Sequence, residues 1–231
     1  MIKETQTLTR LPSNRNLFIT YEKTYQGMPL IIKHRPNITN YLDSLDITIQ
    51  SALADYGKVL ALRLDLHFPN FYIKPASISR SFMSRFIDSF KAMVKSLKHR
   101  TELEGIRFHD SEVHYSWVRE IGDRYKNEHF HLVLYLNGQT FKALGAVDIA
   151  APGLYGMVSR AWASALRLTL TQAQGLVHAP EDGTYYLRRG YSYSDLFTRV
   201  SYFAKVKTKE YQGCRHAFGC SRPSKRLMQS L

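Results

Sequence analysis

The chain is poor in the features that would place it outside a cell or across a membrane. Its 231 residues include two cysteines, Cys214 and Cys220, too few for a disulfide framework and suited to a reducing compartment. Cys214, His216 and Cys220 offer three of the four ligands that a structural zinc site needs, without paired C-x-x-C spacing, so zinc is set aside. No apolar run approaches the roughly 20 residues of a membrane span. The opening Met1-Ile2-Lys3-Glu4-Thr5 lacks the apolar core of a secretory signal. A cytoplasmic protein with no membrane partner is expected. Repeats and low-complexity segments are absent as well. Acid is scarce: 19 Asp and Glu stand against 32 Lys and Arg, a formal charge of +13. So large an excess repels itself, and a polyanionic partner is the usual compensation.

What is present suffices for a globular core. Hydrophobic residues make up 44% of the chain and aromatics 13%, with 15 Tyr against 2 Trp. A chain of this length buries about 70% of its unfolded surface without covalent staples. Residues 1–55 read as an N-terminal extension with one helix, in which Tyr41, Leu42, Leu45, Ile49, Leu53 and Tyr56 recur at helical spacing and Gly57 closes the run. In Lys58–His67, Leu60, Leu62, Leu64 and Leu66 face one way and Arg63, Asp65 and His67 the other, a strand with one apolar and one chemically capable face. An amphipathic helix is predicted over 77–99, strands over 114–121 and 129–137, and a helix over 154–168. A strand or hairpin follows near 175–188, then a last helix over 195–211 and a basic C-terminal tail over 213–231. From Lys58 onward the order is strand, helix, strand, strand, helix, strand, helix. That is an α+β, ferredoxin-like split βαβ order. In such a layout helices cover one face of an antiparallel sheet and leave the other to a ligand.

The sharpest local feature is His129-Phe130-His131 at the start of an apolar strand. Residues two apart on a strand share a face, so both imidazoles leave the same side while Phe130 enters the core. If the two central strands form a hairpin, Glu120 falls opposite His129, with side chains about 5 Å apart. Two histidines and one carboxylate suit a divalent metal and leave positions open for substrate oxygens. Asp65 and His67 are rival third ligands, because the first strand of this layout lies beside the third. Downstream, Tyr202 and Lys205 are three residues apart and share a helix face. A phenol becomes a useful nucleophile where a metal and a cation stabilise its phenolate and the charge developing on a phosphate.

A carboxylate, a His-hydrophobic-His strand and a helical Tyr-x-x-Lys, in this order, resemble the HUH endonuclease superfamily of rolling-circle replication initiators. The resemblance is closest to single-tyrosine Rep proteins. Arg63-Leu-Asp-Leu66, His129-Phe-His-Leu-Val-Leu-Tyr-Leu-Asn137 and Phe218-Gly-Cys-Ser-Arg222 look like the replication proteins of filamentous phages and related prophage elements. It implies an endonuclease domain over 56–212, with His129, His131 and Glu120 as ligands of Mg²⁺ or Mn²⁺, Tyr202 as nucleophile and Lys205 as its electrostatic helper. The first-strand motif departs from the Phe-Thr-rich pattern of eukaryotic viral Rep proteins. No Gly-x-x-x-x-Gly-Lys-Ser/Thr loop occurs, so unwinding would fall to a host helicase and synthesis to a host polymerase.

The implied reaction is in-line attack by Tyr202 on a phosphodiester of a single-stranded or hairpin origin, leaving a 5′-phosphotyrosine and a free 3′-OH. Between Arg199 and Arg226 there are eight Lys or Arg and one acid, Glu210. Arg199, Lys207, Lys209, Arg215 and Arg222, with Arg63 and Asp65 on the first strand, are the expected DNA contacts. Two alternatives stay open. One is a basic nucleic-acid-binding regulator without catalysis, and the other is a relaxase or transposase of the same superfamily.

Overall fold

Strict alternation of leucine with polar or small residues makes Lys58–His67 the central strand, because one face can pack while the other stays chemically varied. The computed structural model describes residues 9–70, 82–122, 128–207 and 217–229. In its N-terminal part β1 (Thr9–Leu11), β2 (Asn14–Thr20), β3 (Thr24–Tyr25), β4 (Met28–Pro29) and β5 (Asn37–Ile38) build two small sheets, β1-β2-β5 and the β3–β4 ribbon. Then come α1 (Thr39–Tyr56), β6 (Lys58–His67), α2 (Phe82–Leu103), β7 (His114–Ile121), β8 (Glu128–Asn137), α3 (Leu154–Leu166) and α4 (Leu170–Ala173). The chain continues through β9 (Val177–His178), β10 (Thr184–Arg188), α5 (Ser194–Val200), a 3₁₀ turn (Ser201–Ala204), β11 (Phe218–Cys220) and α6 (Lys225–Met228). This is a mixed α+β fold around one antiparallel sheet of order β10-β6-β8-β7-β11, with β9 also on β6. Among the described residues no helix is long and apolar enough to cross a membrane.

The two faces of the sheet carry two cores. Leu60, Leu62, Leu64 and Leu66 of β6 join Phe130, Leu132, Leu134 and Leu136 of β8 beneath α2 and α3, with Phe86, Phe90 and Trp162 filling the layer. Val59, Ala61, Val118, Val133 and Tyr135 point the other way and pack under α1, α5 and the 3₁₀ turn. Helices therefore cover both faces, not one as the sequence suggested. The physical reason is that Leu42, Leu45, Ile49 and Leu53 of α1 are an apolar stripe that needs a partner, and the sheet supplies it. The far end of the second face differs, because there Arg63, Asp65, Glu120 and His131 replace apolar residues.

Several boundaries differ from expectation. The last helix stops at Val200, tightens into the 3₁₀ turn and ends as Lys205 takes up extended backbone (ψ 140°) and bridges Asn37 of β5. Pairing with the N-terminal strand overrides the helical spacing there, and residues 208–211 lie outside the described residues. The helix expected over 77–99 is described from Phe82 and runs on to Leu103. Its residues 77–81 are outside the described set. The segment near 175–188 is not a hairpin: β9 and β10 pair separately with β6, and the Asp182-Gly183 turn lies between them. In the expected tail, Phe218–Cys220 joins the main sheet beside β7.

A buried polar clamp ties that last strand to α1. Asp55 Oδ2 lies 2.8 Å from His114 Nε2, and His114 Nδ1 lies 3.3 Å from Ser221 Oγ, which accepts the Tyr115 amide. His114 is buried, so the trio works as a tether rather than a nucleophile.

Two substitutions test this packing. Trp162 is fully buried and donates its indole N–H to the His67 carbonyl at 2.7 Å, so Trp162→Ala is expected to cost about 3–5 kcal/mol in urea unfolding. Gly156 sits inside α3, where alanine normally gains about 1 kcal/mol. An added Cβ would lie 2.0 Å from the Ala151 carbonyl oxygen and 2.8 Å from Arg160, so Gly156→Ala is expected to destabilise by about 1–3 kcal/mol. A Gly156→Ala protein with a raised urea midpoint would contradict the packing described.

Candidate metal and nucleophile site

Register builds the site. In the β7–β8 hairpin Glu120 pairs with His129, the register expected, and Val118 pairs with His131. On the other side of β8, His131 pairs with Asp65 and His129 with His67. Three strands thus bring five chemically capable side chains to one end of the second face. Glu120, His129 and His131 each offer one ligand atom, and these atoms lie within 4.8 Å of one another. The two imidazole Nε2 atoms are 3.3 Å apart, and His131 Nε2 is 3.4 Å from Glu120 Oε2. One ion bound at about 2.0–2.2 Å to each would span the 3.3 and 3.4 Å separations and draw Glu120 and His129 slightly closer, so this donor set fits a divalent cation.

The rival ligands occupy other positions. Asp65 Oδ1 lies 2.6 Å from His131 Nδ1, on the side of the ring away from Glu120. It orients the imidazole with Nε2 turned toward Glu120, as carboxylates behind metal-binding histidines do. Arg63 Nη2 holds the same Asp65 oxygen at 3.2 Å, and His178 Nδ1 approaches the other at 3.6 Å. His67 stacks on His129 with ring centroids 5.6 Å apart.

Tyr202 and Lys205 complete the cluster from the opposite side. The Tyr202 hydroxyl lies 3.3 Å from Glu120 Oε2, and Lys205 Nζ lies 2.8 Å from that oxygen while also donating to the phenol oxygen. Although the helix ends early, the three-residue repeat of the 3₁₀ turn keeps these two side chains together. Lys205 is 5% exposed and Glu120 2%, a buried ion pair joined by a phenol.

Electrostatics follow from this burial. Burial, then the Glu120 carboxylate, holds the Tyr202 phenol well above its ordinary range. Burial opposes charge on His131, but its hydrogen bonds to Asp65 and Glu120 outweigh that and raise its pKa. Burial would also raise the Asp65 carboxyl, but His131 and Arg63 bring it below the usual range.

A residue with no sequence signal joins the site. His34, in a 3₁₀ turn over Ile32–His34, meets Tyr202 edge to face at 4.9 Å between centroids. Its segment is bolted to the tyrosine-bearing one: the Ile31 amide donates to Ser201 Oγ, Thr198 Oγ1 to the Pro29 carbonyl, and the Val206 amide to the Pro36 carbonyl. Nothing in the spacing of residues 28–38 announces this. Of the expected DNA contacts, Arg63 lies at the cluster, Arg199 pairs with Asp182 at 2.7 Å, and Lys207 and Arg222 are exposed. Lys209 and Arg215 lie outside the described residues, as do Cys214 and His216.

Comparison with known proteins places the chain. The YagK/YfjJ C-terminal domain model matches residues 20–221. The uncharacterized protein YfjJ of Escherichia coli strain K12 is 33% identical over 202 residues, spanning 80% of this chain and 95% of that protein. The uncharacterized protein YagK of the same strain is 30% identical over 210 residues, spanning 86% and 98%. No solved structure matches. With a family match over most of its length and two relatives covered nearly end to end, the chain belongs to the YagK/YfjJ C-terminal domain family.

Proposed function

We propose that this protein is a metal-dependent DNA nicking and joining enzyme of the HUH type, using Tyr202 to start rolling-circle replication of a phage or prophage element. The observation that carries the reading is the contact of the Tyr202 hydroxyl with Glu120 and Lys205, where Glu120 belongs to the His129–His131 trio. Among the described residues that trio is the one group with metal-ligand spacing. The strand order β10-β6-β8-β7, with α2 linking β6 to β7 across β8, supports a split βαβ, ferredoxin-like arrangement. The +13 charge supports a DNA partner.

In this reading Glu120, His129 and His131 would hold a divalent ion, Mg²⁺ or Mn²⁺, whose positive charge would polarise the scissile phosphodiester. Asp65 keeps His131 aimed with its Nε2 forward. The Tyr202 oxygen attacks phosphorus in line, so a phosphorus–O(Tyr) bond forms and the bond to the 3′-oxygen breaks. The phenol's proton passes to a solvent water as attack proceeds, and the departing 3′-oxygen takes up a proton from solvent. Lys205 stabilises the phenolate and stays protonated. Bond energy is conserved in the phosphotyrosine, so a later 3′-OH can reverse the step and rejoin a strand. The free 3′-OH would prime a host polymerase, with a host helicase opening the duplex.

Two measurements check the reading. On a denaturing gel, the protein incubated with Mn²⁺ and single-stranded origin DNA of its own element is expected to shift by covalent attachment. That shift should vanish in Tyr202→Phe and with chelator, whereas binding without adduct in every metal and origin fragment would favour the non-catalytic regulator. In Mn²⁺ titrations followed by the electron paramagnetic resonance of the free ion, Asp65→Asn is expected to weaken binding about 10–100-fold. His131→Ala should abolish it. Unchanged affinity in both variants would remove the metal from the account.

A further inference from the structure

The strand edge beside the cluster holds a second row of side chains that the chemistry at Tyr202 does not use. β9 and β10 both lie along β6, on the side away from β8, and their register sets the row. His178 stands opposite Asp65 and is exposed, while Tyr185 stands opposite Ala61 on the same sheet face as Arg63 and Asp65. Between them the turn closes as the Arg63 amide donates to the Gly183 carbonyl at 2.7 Å. Ala61 lies four positions before Asp65, the residue opposite His131, so Tyr185 lies roughly 13 Å along the strand direction from His131.

Tyr185 has the makings of a stacking platform. It is half-buried, resting on the core under α5, with part of its ring open. Burial raises its phenol, and the charges that act on it come first from Arg199, then from Asp182 and Arg63. Arg63 stands two residues along β6 from Ala61 on the same face, diagonal to Tyr185, and its guanidinium reaches on to Asp65 at 3.2 Å. Arg199 reaches Asp182 through Nη2 at 2.7 Å, and its buried Nε has no hydrogen-bond partner. An aromatic face flanked by two guanidiniums is the arrangement that holds an unpaired base by stacking and its phosphates by charge. A base in a duplex is stacked on both sides and has no face to offer.

We infer that Tyr185, flanked by Arg63 and Arg199, forms a subsite for one unpaired base of single-stranded DNA next to the phosphate at Tyr202. The subsite rests on the proposed DNA chemistry for its meaning, and it is tested without that chemistry. The test is fluorescence anisotropy with a labelled oligothymidylate and a duplex of equal length, in chelator and in a Tyr202→Phe background, so no covalent step contributes. Tyr185→Ala and Tyr185→Leu are expected to weaken single-strand binding about tenfold and leave duplex binding within about twofold, while Tyr185→Phe binds as the parent does. Arg199→Gln is expected to lower the salt slope of single-strand binding by about one. Photocrosslinking to an oligonucleotide carrying 5-iododeoxyuridine should mark Tyr185 in the unaltered protein, a readout independent of any variant's folding.

Equal single-strand affinity in parent, Tyr185→Ala and Tyr185→Leu, a crosslink that avoids Tyr185, or equal weakening of duplex and single strand would overturn the subsite. So would a parent that does not bind the single strand. A protein that shows the Tyr185 effect and yet forms no adduct with metal keeps the subsite and loses the nickase.

Discussion

Burying the charge of Glu120 at one end of a β-sheet costs several kcal/mol unless opposite charge and hydrogen bonds meet it. The fold arranges the end of the sheet around that requirement. Lys205 lies 2.8 Å away, and the Tyr202 hydroxyl and His131 Nε2 complete the shell. To deliver Lys205, the chain leaves its helix after Ala204 and pairs with β5, which in turn anchors the N-terminal strands to the tyrosine-bearing segment. The residues before β6 are thus part of the site's construction. They carry His34 to the ring of Tyr202 and hold the 3₁₀ turn by three hydrogen bonds between the segments.

The same carboxylate joins two kinds of chemistry. Toward β8 it faces two imidazoles, one of them fixed from behind by Asp65 and Arg63. Toward α5 it faces a phenol and an ammonium. A cation at the histidines and a nucleophile at the phenol would share Glu120, so charge arriving on one side is felt on the other. Burial and Glu120 keep Tyr202 protonated in the ion-free protein. Positive charge arriving at the imidazoles would offset the carboxylate's hold on that phenol proton.

Much of this was legible in the residues themselves. Period-two alternation in Lys58–His67 fixed which face of β6 would be apolar, and the spacing from Glu120 to His129 was enough to anticipate their pairing, because a hairpin register follows from the pleat. The role of Asp65 was not legible. Its place beside His131 follows from strand order, but which ring nitrogen it would meet depends on side-chain geometry. Helical spacing carried the last helix past Lys205, because it contains no sign that β5 would compete for that backbone. His34 lay in a segment without motif or period, and a three-residue turn whose value is entirely tertiary leaves no trace in the local pattern. The apolar stripe of α1 was visible, whereas its choice of the site-bearing face was not.

The account stands most directly on the identity of the atom that takes the phosphate. Mass spectrometry of the protein after incubation with Mn²⁺ and single-stranded origin DNA, followed by nuclease and protease digestion, locates any nucleotide left on a peptide. A nucleotide carried through phosphate on Tyr202 is the predicted result. A nucleotide on another residue, or unmodified Tyr202 in protein that demonstrably binds both metal and DNA, would contradict it.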